Sequence, residues 1–158
     1  ALLSGKLHRN FMGYTVKNSD HLLGFGVSSI SQIDGHFVQN LKHLNDYYEN
    51  IDNLSYQKAY LLTDDDRIRQ ELITRLMCDF KVDYGRFSKK WKIDFDEYFK
   101  AELESIPAFV TEGILSKEDF GFSVTPTGRH FLRNVAMQFD AHLKAMRDRK
   151  KPVFSNSI

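Results

Sequence analysis

Apolar residues recur along this chain in two rhythms, and the change between them falls near residues 52–57. Before it, Leu22 to Ile33 mixes β-branched and apolar residues with closely spaced glycines, the pattern of a strand buried on both faces. Phe37 and Val38 mark a second short strand, and Leu41, Leu44, Tyr48 and Ile51 then recur at helical spacing. So few strands and a single helix cannot bury their own faces, because a layer needs another layer. This piece therefore expects a partner. The polar run Asp52-Asn53-Leu54-Ser55 is the predicted joint, which divides the chain into residues 1–54 and 55–158.

From residue 57 onward the pattern is mainly helical. Thr63 followed by Asp66, with acidic residues in the first turn, signals a helix start, and Ile68, Leu72, Leu76 and Phe80 give that helix a buried stripe. A short helix is predicted over about Tyr84–Trp91. A third carries Phe95, Phe99, Leu103, Ile106 and Val110 on one face, with Pro107 late in the run and Gly113 as its C-cap. Ile114-Leu115 and Phe120-Gly121-Phe122-Ser123-Val124 flank a charged tip, Lys117-Glu118-Asp119, as a hairpin does. Thr125-Pro126 then opens a last amphipathic helix through Leu132, Val135, Phe139, Leu143 and Met146. Three helices, a hairpin and a helix are the order of a winged-helix-like domain. The expected class is mainly α with a small β component.

Composition narrows the functional classes. The 158 residues are 42% hydrophobic and 27% charged, with a net charge of +1. No global field favours nucleic acid or anionic lipid, and no apolar run approaches the ~20 residues of a membrane span. No signal-peptide order opens the chain. The lone cysteine, Cys78, excludes an internal disulfide and suits a reducing cytoplasm. Within a helical pattern it reads as a small buried apolar residue.

A winged helix invites a DNA-binding reading. Between Asp94 and Glu112, however, six carboxylates face only Lys100, and phosphate contacts need cations. No nucleic-acid partner is expected. The basic tail Arg147, Arg149, Lys150, Lys151 reads as a solvated helix end complementing the helix dipole. Gly24-Phe25-Gly26 lacks the third glycine of a dinucleotide fingerprint, and the six histidines show no metal-ligand spacing. No metal site or catalytic triad is expected in this chain.

The remaining constellation is Arg9-Asn10-Phe11-Met12-Gly13-Tyr14-Thr15. Physically it is a loop able to clasp a flat or anionic ligand, or equally one that packs its rings on a neighbouring layer. With His8 before it, and with Leu22-Leu23-Gly24-Phe25-Gly26-Val27-Ser28-Ser29-Ile30-Ser31, Gln39-Asn40-Leu41-Lys42 and Tyr47-Tyr48, it resembles the oxygen-independent coproporphyrinogen III oxidases (coproporphyrinogen dehydrogenases). These are radical S-adenosylmethionine enzymes of haem biosynthesis. The resemblance implies the C-terminal part of such an enzyme: residues 1–54 as the end of a radical-SAM α/β barrel, and residues 55–158 as a cover over the active site. It implies oxidative decarboxylation of two propionates of coproporphyrinogen III to give protoporphyrinogen IX. S-adenosylmethionine and a [4Fe-4S] cluster would serve the parent enzyme, with the cluster's cysteines outside this chain. The partners implied are the N-terminal barrel of the same protein and the porphyrinogen substrate. Phe11, Met12 and Ile30 correspond to positions beside a second S-adenosylmethionine, and Arg9 is a candidate for a substrate carboxylate. The family commonly has glutamine where this chain has Met12, so an amide is replaced by a thioether. Alternatives are a related haem chaperone or haem-degrading radical enzyme, or a non-enzymatic winged-helix interaction module.

Overall fold

A computed structural model of the chain describes residues 6–10, 13–16, 19 and 21–148. They cluster into two units, one spanning Lys6–Arg67 and one beginning at Ile68.

In the first unit, β1 (His8–Asn10) and β2 (Gly13–Thr15) form an antiparallel ribbon with Arg9 opposite Tyr14. A second sheet holds β3 (Ile30–Ile33) and β4 (His36–Asn40), joined through Asp34-Gly35. Both turn residues are left-handed, with φ of 46° and 74°, as a two-residue turn matched to strand twist requires. After α1 (Leu44–Glu49) and a 3₁₀ turn at Ile51–Asn53, β5 (Tyr56–Leu61) pairs with β4 and completes the order β3-β4-β5.

Two expectations change here. The strand expected across Leu22–Ile33 is regular only over Ile30–Ile33, with one isolated bridge from Leu22 to Gln32. Gly26 and Ser28 adopt positive φ values of 94° and 57°, which an extended strand does not accommodate, so the glycines build a loop. The strand β5 lies where helix was expected to begin. All of its residues but Tyr60 are exposed, so no buried alternation marked it.

Thr63 and Asp66 form the expected capping box: the Asp66 amide donates to Thr63 Oγ1 at 3.1 Å, and the Thr63 amide donates to Asp66 Oδ2 at 2.9 Å. They open α2 (Asp64–Asp79), within which the chain passes from the first unit to the second.

The second unit continues with β6 (Lys81–Asp83), α3 (Tyr84–Trp91), α4 (Phe95–Tyr98), α5 (Lys100–Leu103) and α6 (Ile106–Thr111). The hairpin β7 (Leu115–Glu118) and β8 (Gly121–Val124) follows, then a 3₁₀ turn at Thr127–Phe131, α7 (Leu132–Ala136) and α8 (Ala141–Asp148). The helix at Tyr84–Trp91 stands where the periodicity put it. Lys81–Asp83 is an unexpected third strand, making the antiparallel order β6-β8-β7.

The single helix expected over Phe95–Val110 is three short ones. Pro107 lies in the first turn of α6, where its missing amide costs no helical bond, and so it starts a helix instead of bending one. Gly113 ends α6 in a Schellman arrangement: its amide donates to Val110 O at 3.0 Å and the Ile114 amide to Phe109 O at 2.9 Å. The last amphipathic run is likewise interrupted at Asp140, whose carboxylate accepts from the Leu143 amide at 2.9 Å and restarts the chain as α8.

One core fills this unit. Ile68, Leu72 and Leu76 of α2 pack with Phe95, Phe99, Phe122 and Phe139, and each such side chain contributes about 1.5–3 kcal/mol by leaving water. Ring centroids of Phe95–Phe99 and Phe99–Phe139 lie 4.8 and 5.6 Å apart. The first unit differs sharply: among its described residues only Ser31 and Leu62 are buried.

Candidate functional site

The glycine loop between Leu22 and Ile30 is the most tightly specified feature of the first unit. Leu22 and Gln32 exchange two backbone hydrogen bonds of 2.8 Å each. The Gly24 amide donates to the buried Ser31 hydroxyl at 3.0 Å, and the Gly26 amide donates to Tyr47 Oη at 3.2 Å. Asn40 Nδ2 donates to the carbonyls of Gly24 and Gly26 at 3.2 and 2.9 Å, while Gln39 Nε2 reaches Ser28 O at 3.1 Å. Backbone bonds from Ser28 to Leu41 O and from Asn40 to Ser29 O close the loop's far side at 2.8 and 2.9 Å. Glycine is needed at 24, since a Cβ there would lie 2.8 Å from Ile30 O.

The outcome is a loop held by many hydrogen bonds that points apolar side chains outward. Phe25 is 85% exposed and Leu23 62%. The residues holding the loop, Gln39, Asn40 and Tyr47, belong to motifs that the sequence singles out by resemblance alone. A physical signal was present in Asn40, because amide side chains commonly bond loop backbone.

The candidate ligand residues are distributed as follows. Arg9 is exposed on β1, its guanidinium carbon 5.9 Å from the Tyr14 ring centroid. Ile30 opens β3, half-buried and opposite Gln39. Phe11 and Met12 lie outside the described residues. Among the described residues no group of three or more His, Cys, Asp or Glu side chains is placed to hold a metal ion. Cys78, the lone cysteine, is buried at 1% exposure, so this chain does not fit a thiolate-bound cluster.

Two tyrosines titrate above the usual phenol range. The hydrogen bond donated by Tyr60 to Asp66 Oδ2, 2.8 Å long, is the main cause at Tyr60, which is thereby tied to the start of α2. Burial beside Phe95, whose ring centroid is 4.2 Å away, and then the charge of Asp96 push Tyr84 up to about 12.

Residues 62–131 match the HemN C-terminal domain family. Along 142 residues, 89% of this chain, the sequence is 39% identical to the oxygen-independent coproporphyrinogen III oxidase of Escherichia coli K12. Over most of its length the chain is similar to part of the oxygen-independent coproporphyrinogen III oxidases, with residues 62–131 matching the HemN C-terminal domain. The enzyme of that name from Synechocystis is 38% identical over 98% of this chain, and that from Thermostichus vulcanus 35% identical over 98%. A solved structure, coproporphyrinogen III oxidase (HemN) from Escherichia coli, a radical SAM enzyme, superposes with a TM-score of 0.84 at 38% identity over 90% of this chain. The chain spans about a third of the first curated relatives' length, 31% of the Escherichia coli protein. Among the described residues no helix is long and apolar enough to cross a membrane.

Proposed function

We propose that this chain is the C-terminal part of an oxidoreductase that oxidatively decarboxylates two propionates of coproporphyrinogen III, giving protoporphyrinogen IX. The observation that carries the reading is the 39% identity to the Escherichia coli enzyme, sustained over 89% of the chain. S-adenosylmethionine and an iron–sulfur cluster, when bound in the parent protein, would supply the radical chemistry. The cluster would be held outside this chain, whose one thiol is buried in a helix.

What this chain's own residues do is shape and exclude. The loop clamped by Asn40 and Tyr47 fixes the direction of Phe25 and the start of β3 at Ile30. Phe11, Met12 and Ile30 would offer apolar contact to a second S-adenosylmethionine, and Arg9 a cation to a substrate carboxylate. The near absence of buried residues in the first unit supports its resting on the N-terminal radical-SAM domain of the same polypeptide. The test is an anaerobic assay of the full-length protein with coproporphyrinogen III and S-adenosylmethionine. Protoporphyrinogen formation is the expected result; haem binding or breakdown without that product would support a haem-handling relative.

A further inference from the structure

A cleft on the second unit is not used by this reading. It encloses about 190 Å³ between α2 from Glu71 onward, strand β6 and α3. Its apolar floor is Val82 and Phe87, and its walls carry Glu71, Arg75, Asp79, Lys81, Asp83, Arg86 and Lys90. The carboxylates are already engaged. Glu71 takes Lys90 Nζ at 2.5 Å, with Arg75 Nε 3.6 Å away. Asp79 faces Arg75 Nη1 at 3.3 Å, and Asp83 accepts the Arg86 amide at 2.8 Å as the cap of α3. The Lys81 ammonium and the guanidinium of Arg86 stand at the same cleft with no hydrogen bond or ion pair to any described residue.

The surrounding chain reinforces the sign. From Lys81 to Lys92 there are five cations, Lys81, Arg86, Lys89, Lys90 and Lys92, against Asp83 alone, in a chain of net charge +1. A concave site with occupied acceptors and spare donors attracts a ligand that brings acceptors of its own. The guanidinium of Arg86 matches the paired oxygens of a phosphate or a carboxylate, and Lys81 adds a mobile point charge.

We propose that this cleft is a binding site for a small dianion, a phosphate group or a dicarboxylate, held by Lys81 and Arg86 above the Val82–Phe87 floor. The proposal is independent of the oxidase reading, because it concerns a different surface. The test is amide-resolved NMR titration of the 158-residue chain with inorganic phosphate and, separately, with succinate, at low salt and again at high salt. Saturable shifts centred on Lys81–Lys90, half-maximal below about 1 mM and weakened at least tenfold by Lys81→Glu or Arg86→Glu, are expected. Circular dichroism should show the variants folded; should either fail to fold, Arg86→Gln serves in its place. Preference for one probe identifies the oxygen geometry recognised, and equal binding supports the shared dianion chemistry. Shifts that stay linear, spread over all exposed lysines or survive both charge reversals would overturn the assignment.

Discussion

Arg69 Nη1 lies 2.8 Å from Glu102 Oε1, and the two side chains are only 16% and 10% exposed. The same nitrogen reaches the Phe139 carbonyl at 3.3 Å, and the guanidinium sits 5.4 Å from the Phe99 ring centroid. One arginine of α2 thus ties α5 and the segment before α8 around the aromatic core. Removing Glu102 would take the facing carboxylate away from this guanidinium in a poorly hydrated place. Glu102→Ala should therefore cost about 3–5 kcal/mol, which urea denaturation would report. A loss below about 1 kcal/mol would mean that the pair behaves as a surface one.

Alkaline stability should depend on Tyr84. Its folded-state pKa of about 12 lies above the ordinary value of 10.0, so between these limits the folded chain keeps a proton that the unfolded chain has released. Stability contributed by this group is complete below pH 10 and falls as pH rises toward 12. Tyr84→Phe keeps the stacked ring and removes the titration. The variant's denaturation midpoint should decline less than the parent's over that interval; parallel declines would refute the assignment.

Asn40 should act as the clamp of the glycine loop. Asn40→Ala frees the Gly24 and Gly26 carbonyls and should destabilise the first unit by about 1–2 kcal/mol. Hydrogen exchange at Ser28 and Ser29 should accelerate in the variant, while amides in β8 keep their protection. Equal acceleration in both places would show global rather than local loosening.

Ile30 tests the cofactor proposal. In the full-length enzyme, Ile30→Asp should place an unpaired charge against the second S-adenosylmethionine and strongly disfavour its binding. Product formation should collapse while cluster absorbance and fold persist. A normal rate of protoporphyrinogen formation would make Ile30 ordinary packing.

The second unit was readable where local chemistry and burial agree. Tyr84–Trp91 shows one apolar face and an aspartate cap, and Gly113 supplies the left-handed residue, φ 71°, that ends α6. The break of Phe95–Val110 into three helices was harder, because the residues needed to surround a compact core keep helical spacing even where the axis turns. β5 was illegible for the opposite reason: it is held by hydrogen bonds to β4 and shows almost no buried side chain. The hairpin at Asp34-Gly35 did carry a readable turn signal, masked by the apolar run before it. At the candidate site, residue type suggested what Arg9 could contact and the family resemblance alone singled out Ile30, but only the fold reveals that Asn40 and Tyr47 brace the neighbouring loop.

The scarcity of buried side chains in Lys6–Arg67 alters how substitutions there should be judged. In an ordinary domain, exposure forecasts tolerance: a residue as open as Phe25 accepts almost anything, and one as enclosed as Phe95 almost nothing. Where an outward face is meant for another layer, that forecast inverts. A saturation-mutagenesis screen of the intact protein should find Phe25, Leu23 and Tyr14 as intolerant of polar replacement as the phenylalanines of the second unit. The same changes in the separate chain should pass almost unnoticed.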